Sequence, residues 1–140
     1  MNAYTRFHID HVVHGPAIVA MAKRFDRHPY VATPDRGQCF DCVALINLLS
    51  GADVPESWMR DGGRLPFDVI DPPDARPGDL VTFCMPWPQN PHHVAILTRG
   101  EGVDDPYAQV FGPWFGHAAA TCWLRGWRPH VTGAYRMATA

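Results

Sequence analysis

Phe40-Asp41-Cys42-Val43-Ala44-Leu45-Ile46 opens an apolar run on a cysteine, which is how a thiol in the first turn of a buried helix reads. Asp41 is a natural N-cap for that helix, and the orphan N–H groups and dipole of a helix start favour a thiolate. Downstream, His93-Val94-Ala95-Ile96-Leu97 sets an imidazole at the head of a β-type segment. A thiol is only a few per cent ionised at neutral pH, so a helix start and an imidazole together make a nucleophile where neither alone does. Taken by itself, Cys42 reads more readily as a small buried hydrophobe beside Val43 and Leu45.

Two further stretches accompany the pair: Pro29-Tyr30-Val31 ahead of Cys42, and Arg76-Pro77-Gly78-Asp79-Leu80-Val81-Thr82-Phe83 ahead of the histidine. In this order the four motifs resemble those of the NlpC-type peptidoglycan endopeptidases and the related CHAP amidases, including small type VI secretion and phage-tail amidases. The resemblance runs roughly over residues 29 to 114 and more loosely to Arg136. It implies a papain-like α+β fold, with N-terminal helices packed on a small antiparallel sheet. It also implies a cysteine hydrolase that cuts an amide bond in peptidoglycan peptide through an acyl-enzyme on Cys42.

In that scheme His93 pairs with the thiolate, protonates the leaving amine and activates water. His92 and His93 are adjacent, so on a strand they point to opposite faces; the family pattern selects His93. A third polar group normally orients the imidazole. Its position maps loosely onto Gln109, whose side-chain carbonyl is able to accept from the ring, while the acid of the related secreted amidases falls on Gly112. His117 is a second candidate. The Tyr30 hydroxyl and the Cys42 backbone N–H would face the oxyanion, and Trp87, between Pro86 and Pro88, would form a wall of the cleft. Ala44 departs from the family, which usually carries glycine there.

Other readings of the Cys/His pair are an acyltransferase, a deamidase, or a catalytically silent binding module of a phage tail or secretion system. Asp79 in Pro77-Gly78-Asp79 reads as structural, since Gly-Asp before a strand serves the turn's own hydrogen bonds.

The 140 residues suit a single domain spanning 1–140, with 46% hydrophobic and 19% charged residues. A net charge of −2 and scattered arginines leave no nucleic-acid footprint. No stretch approaches the ~20 apolar residues of a membrane span, and the first residues lack the apolar core of a secretory signal. The expectation is therefore a protein made in the cytoplasm and delivered to the periplasm or cell wall by a phage or secretion apparatus, with a tail, secretion or immunity partner. No cofactor is called for. His8, His11 and His14 lack the companion ligands of a metal site. The four cysteines, Cys39, Cys42, Cys84 and Cys122, fit zinc poorly because only the first two are close; a Cys84–Cys122 disulfide stays open.

Periodicity predicts a helix over 16–25 with proline in its first turn, and a second over about 41–49 that ends at Ser50-Gly51. Strands are predicted at 79–84, 93–98, 107–111 and 133–137, with turns at 86–91 and 99–105. The stretch 51–77 reads as a connection with one short helix. Trp114, Trp123, Trp127 and Tyr135 read as core aromatics.

Overall fold

Leu80-Val81-Thr82-Phe83 and Val94-Ala95-Ile96-Leu97 are almost continuously apolar, the pattern of strands buried on both faces. In the computed structural model, which describes residues 15–27, 46, 67–86, 92–114 and 117–137, these two segments are the centre of a six-stranded sheet. The elements are α1 (Gly15–Lys23), β1 (Asp68–Ile70), β2 (Leu80–Cys84), β3 (His92–Arg99), β4 (Gln109–Trp114), β5 (His117–Trp123) and β6 (Val131–Arg136). Single 3-10 turns lie at Pro72–Asp74 and Arg128–His130.

The strand order is β1-β6-β2-β3-β4-β5, and every neighbouring pair is antiparallel. Strands β2 to β5 follow one another as hairpins. β6 returns from the C-terminal end and inserts between β1 and β2, so two of the sheet's five strand pairings are non-local.

Each face of the sheet carries its own apolar layer. Leu80, Val94, Ile96, Phe111, Ala119 and Tyr135 share one face with Ile18 and Ala22 of α1 and with Ile46. Val81, Phe83, Ala95, Leu97, Val110 and Ala134 share the other with Met85, Val103 and Leu124. The register pairs Leu80 with Ile96 and Val81 with Ala95, so each face is continuous across strands. Helix α1 presents Ile18 and Ala22, one turn apart, and has Lys23 in its last turn where the dipole favours a cation.

The helix is seated by a backbone contact. Gly78 has φ +100°, and a Cβ there would lie 2.8 Å from the Gly15 carbonyl oxygen; a Cβ on Gly15 would in turn collide with the Pro77 carbonyl. The start of α1 thus rests on the turn before β2 only because both residues lack side chains. Beside it, Asp79 is buried. Its carboxylate accepts the Arg76 backbone N–H at 2.7 Å, Arg136 Nε at 2.9 Å and Arg136 Nη2 at 2.8 Å. The structural reading of Asp79 holds, with the addition of an arginine from β6 that the turn motif did not announce.

Several expectations change. β4 begins at Gln109 rather than Tyr107, because Asp105 holds Tyr107 in a turn through its backbone N–H. β1 and β5 were not foreseen. β1 has three residues, and His117-Ala118-Ala119-Ala120-Thr121-Cys122-Trp123 is alanine-rich with little β propensity, so pairing with β4 decides it. Trp123 is 43% exposed rather than core, whereas Tyr135 is buried. Of the helix expected at 41–49, Ile46 alone is described, helical and buried.

Gly78→Ala combines a left-handed φ with a backbone clash and is expected to lower stability by roughly 1–3 kcal/mol. Gly126→Ala, with nothing within 4 Å of the new Cβ, should leave urea denaturation nearly unchanged. Asp79→Asn keeps the shape but uncouples Arg136; since that guanidinium is one-third exposed, the expected loss is about 1–2 kcal/mol, read from the same denaturation curves.

Candidate active site

The head of β3 is where the sheet passes from packed core to solvent. His92 pairs in register with Cys84, and His93 with Phe83. Cys84 is exposed and His92 half-buried, while Val94 through Leu97 are closed off from water. His93 is only 3% exposed, and its ring lies 5.8 Å from that of Phe83 at a tilt of 38°.

Burial pushes the His93 imidazole down to about 3, because a charged ring would lose its hydration among apolar neighbours. At physiological pH it is therefore neutral. A neutral imidazole is able to take a proton, but a standing imidazolium at this position needs an anion beside it. Alternation sets the two histidines apart: His93 lies with Phe83, Ala95 and Leu97, and His92 lies on the face of Val94, Ile96, α1 and Ile46.

The other sequence candidates divide by position. Gln109 pairs with Arg99 at the far end of β3, six residues or roughly 20 Å from His93 at strand spacing. The structure does not bring them together, and Gln109 does not orient that ring. His117 pairs with Trp114 at the last turn of the β4–β5 hairpin, at the sheet end that carries His93 and two strands away, roughly 10 Å. Cys42, Asp41, Tyr30 and Trp87 lie outside the described residues, as do His8, His11 and His14.

Cys84 and Cys122 are both free thiols, on β2 and β5 with two strands between them. Burial pushes Cys122 up to about 11, an effect that its hydrogen bond with Trp127 only partly offsets, so little of it is thiolate at neutral pH. Cys84, exposed, is the described thiol open to reagents.

A cavity of about 850 Å³ lies at the opposite end of the sheet, between the 70–77 segment and Gly100-Glu101, with Arg136 in its wall. Its rim carries Asp71, Asp74 and Glu101 against Arg76 and Arg136, and it is remote from His93. The sequence reading missed Arg136, whose pairing with Asp79 spans 57 positions and has no local signal.

No family model matches the chain, and no curated protein matches it significantly. Solved structures do. The NlpC/p60 domain of the peptidoglycan hydrolase SagA superposes with a TM-score of 0.63 at 24% identity, over 87% of this chain and 97% of that one. A protein of Staphylococcus aureus subsp. aureus Mu50 described as similar to lipoprotein, NLP/P60 family, gives 0.61 at 22% identity over 88% and 41%. NlpC2 from Trichomonas vaginalis gives 0.63 at 19% identity over 88% and 46%. The chain thus spans less than half the length of the latter two proteins. At these identities the likeness establishes an NlpC/P60-type α+β fold around an antiparallel sheet, as the sequence motifs led one to expect.

The buried imidazole has a pH signature. Unfolding raises His93 from about 3 to an ordinary ~6.5, so the unfolded chain binds the extra proton between those values. The stability tied to neutral His93 is complete above pH ~6.5 and falls as pH drops toward 3, by up to about 1.4 kcal/mol per pH unit. Urea denaturation of His93→Phe against wild type between pH 7 and 4 is expected to show the shallower slope in the variant.

Proposed function

We propose that this chain is a cysteine amidase or endopeptidase that hydrolyses an amide bond in bacterial cell-wall peptide. The observation that carries the reading is the Phe-Asp-Cys stretch and the His-headed β3 occurring together in a chain with the NlpC/P60-type fold. SagA, one of the similar structures, is described as a peptidoglycan hydrolase, which supports the substrate class.

The steps assigned to the residues are these. The Cys42 thiol loses its proton to an imidazole at the head of β3, which the family pattern names as His93, and sulfur attacks the amide carbonyl carbon. The Tyr30 hydroxyl and the Cys42 backbone N–H donate to the oxyanion. As the C–N bond breaks, the imidazolium returns its proton to the leaving amine, and the acyl group stays on sulfur as a thioester. Water then gives a proton to the imidazole and adds to the thioester; collapse releases the carboxylate product and restores the thiol. Asp41 caps the nucleophile helix, Trp87 walls the cleft, and His117, at the same sheet end as His93, takes the orienting role that Gln109 is too distant to fill.

Desolvation matters to this chemistry. An imidazole held near 3 accepts a proton readily only when the thiolate forms beside it, so the ion pair and the acyl transfer are coupled. A second reading of the base is favoured by one observation: His92, not His93, shares the sheet face of Ile46. In the helix that the sequence predicts from Asp41, Cys42 and Ile46 stand one turn apart on one side, and a thiol there would look to His92.

Delivery by a phage tail or secretion apparatus, with an immunity partner, belongs to the same proposal and follows from the resemblance to small amidases of those systems.

The pH dependence of Cys42 alkylation by iodoacetamide, read by peptide mapping so that Cys84 is scored separately, tests the assignment. Reaction well below pH 8 that is lost in His93→Ala is the expected result, with a fall of roughly 10²–10⁴-fold in amine release from wall peptide. Loss in His92→Ala instead moves the base to His92. An ordinary thiol profile, unchanged in both variants, makes the chain a silent module, and product capture by an amine in place of water makes it an acyltransferase.

A further inference from the structure

Strand β5 is an outer strand of the sheet, paired with β4 alone among the described strands. Two contacts fix which way its main-chain groups point. The Leu124 N–H donates to the Ala108 carbonyl at 3.0 Å, so the groups of the alternate residues Cys122 and Ala120 turn toward β4. Those of Ala119, Thr121 and Trp123 therefore turn outward. Ala119 bears this out, since its carbonyl accepts the Arg27 N–H at 2.7 Å. Thr121 and Trp123 are exposed, and among the described residues nothing pairs with their N–H and C=O groups.

This open stretch has defined ends. Arg27 closes the edge at Ala119, and the chain leaves the strand at Leu124, where the Trp127 N–H donates to the Leu124 carbonyl at 2.8 Å. A free edge is usually blunted by a charge, a proline or a bulge. Ala118-Ala119-Ala120-Thr121-Cys122-Trp123 carries no charge and no proline, and its register with β4 is regular from Ala120 to Trp123. The other outer strand, β1, is protected in the usual way: it has three residues, opens on the exposed Asp68 and runs into Asp71-Pro72-Pro73.

We propose that a second copy of this chain extends the sheet by antiparallel pairing of the two β5 edges, about a two-fold axis at Cys122. Pairing of like with like brings any charge near its own copy, so an uncharged edge is a condition peculiar to self-pairing. The open stretch also matches itself. With the axis at Cys122, the Thr121 N–H donates to the Trp123 carbonyl of the second copy and the Trp123 N–H to the Thr121 carbonyl of the second copy, and each bond is repeated by symmetry. An axis at Thr121 would set Trp123 against Ala119, whose carbonyl Arg27 already holds. An axis at Trp123 would set Thr121 against Arg125, in the turn beyond the strand. Directly opposed residues share a face, so the Trp123 ring, with the Arg125 guanidinium 5.3 Å from its centroid, lies beside Thr121 of the second copy and loses exposed apolar area there.

Sedimentation velocity of the full chain from about 10 μM to about 1 mM, with residue-resolved amide hydrogen exchange at both ends of that range, tests the pairing. A concentration-dependent dimer is expected, in which the Thr121 and Trp123 amides exchange about tenfold more slowly than in the monomer, while Ala120 and Cys122, bonded to β4 in both states, do not change. Thr121→Pro removes an outward donor, and Thr121→Lys brings like charges within diagonal reach across the axis. Both variants are expected to stay monomeric, and thermal melting of the lysine variant should be unchanged because Thr121 is exposed. A wild-type chain that is monomeric up to about 1 mM overturns the pairing and leaves the edge to some other extended chain. A dimer without the alternating protection, or one that survives Thr121→Lys, has its interface elsewhere and overturns it as well. Cys42 takes no part, so these outcomes are separate from the hydrolase reading.

Discussion

The carboxylate of Asp79 is the interaction on which the arrangement turns. It is buried at the entry to β2 and accepts three N–H groups, one from its own turn and two from Arg136 at the end of β6. A buried carboxylate without those donors would carry a large desolvation penalty. Folding therefore requires β6 to arrive beside β2, and the register in which Leu80 faces Tyr135 follows. The neighbouring Gly78 receives the start of α1 and donates its N–H to Leu97. One short turn thus joins the helix, the central hairpin and the returning C-terminal strand.

That frame sets the chemistry at the other end of β3. Stacking apolar layers on both faces of the sheet stabilises it, and the same burial strips water from His93 and keeps it neutral. A sheet that closed completely would leave an imidazole with no work to do. Here it opens within one residue, where Cys84 is exposed and His92 half-buried. The neutral His93 imidazole thus sits one residue from the boundary between packed core and solvent.

Much of this was legible in the residues. Pro16 with Ile18 and Ala22 marks α1, the apolar stretches from Leu80 and His93 mark the central hairpin, and Gly78-Asp79 marks a structural turn. The order of motifs led to the right fold at identities too low for sequence alone to demonstrate kinship. Trp123 was misread because an indole on an edge strand is satisfied by a guanidinium stacked on it as well as by a core. β5 was missed because its alanines carry no strand signal until β4 supplies the pairing.

The sequence by itself determined what is local: which segments have period two, where the helix starts and where a glycine is needed. Tertiary structure decided what depends on register. Gln109 looked close to His93 because both lie on neighbouring strands, yet the long turn between β3 and β4 slides the pairing until Gln109 meets Arg99. Packing decides which apolar layer covers each of the opposed faces of His92 and His93, and the return of β6 gives Asp79 its arginine. Hydrogen-bond register is set by contacts between residues distant in the chain, and no window along the sequence contains them.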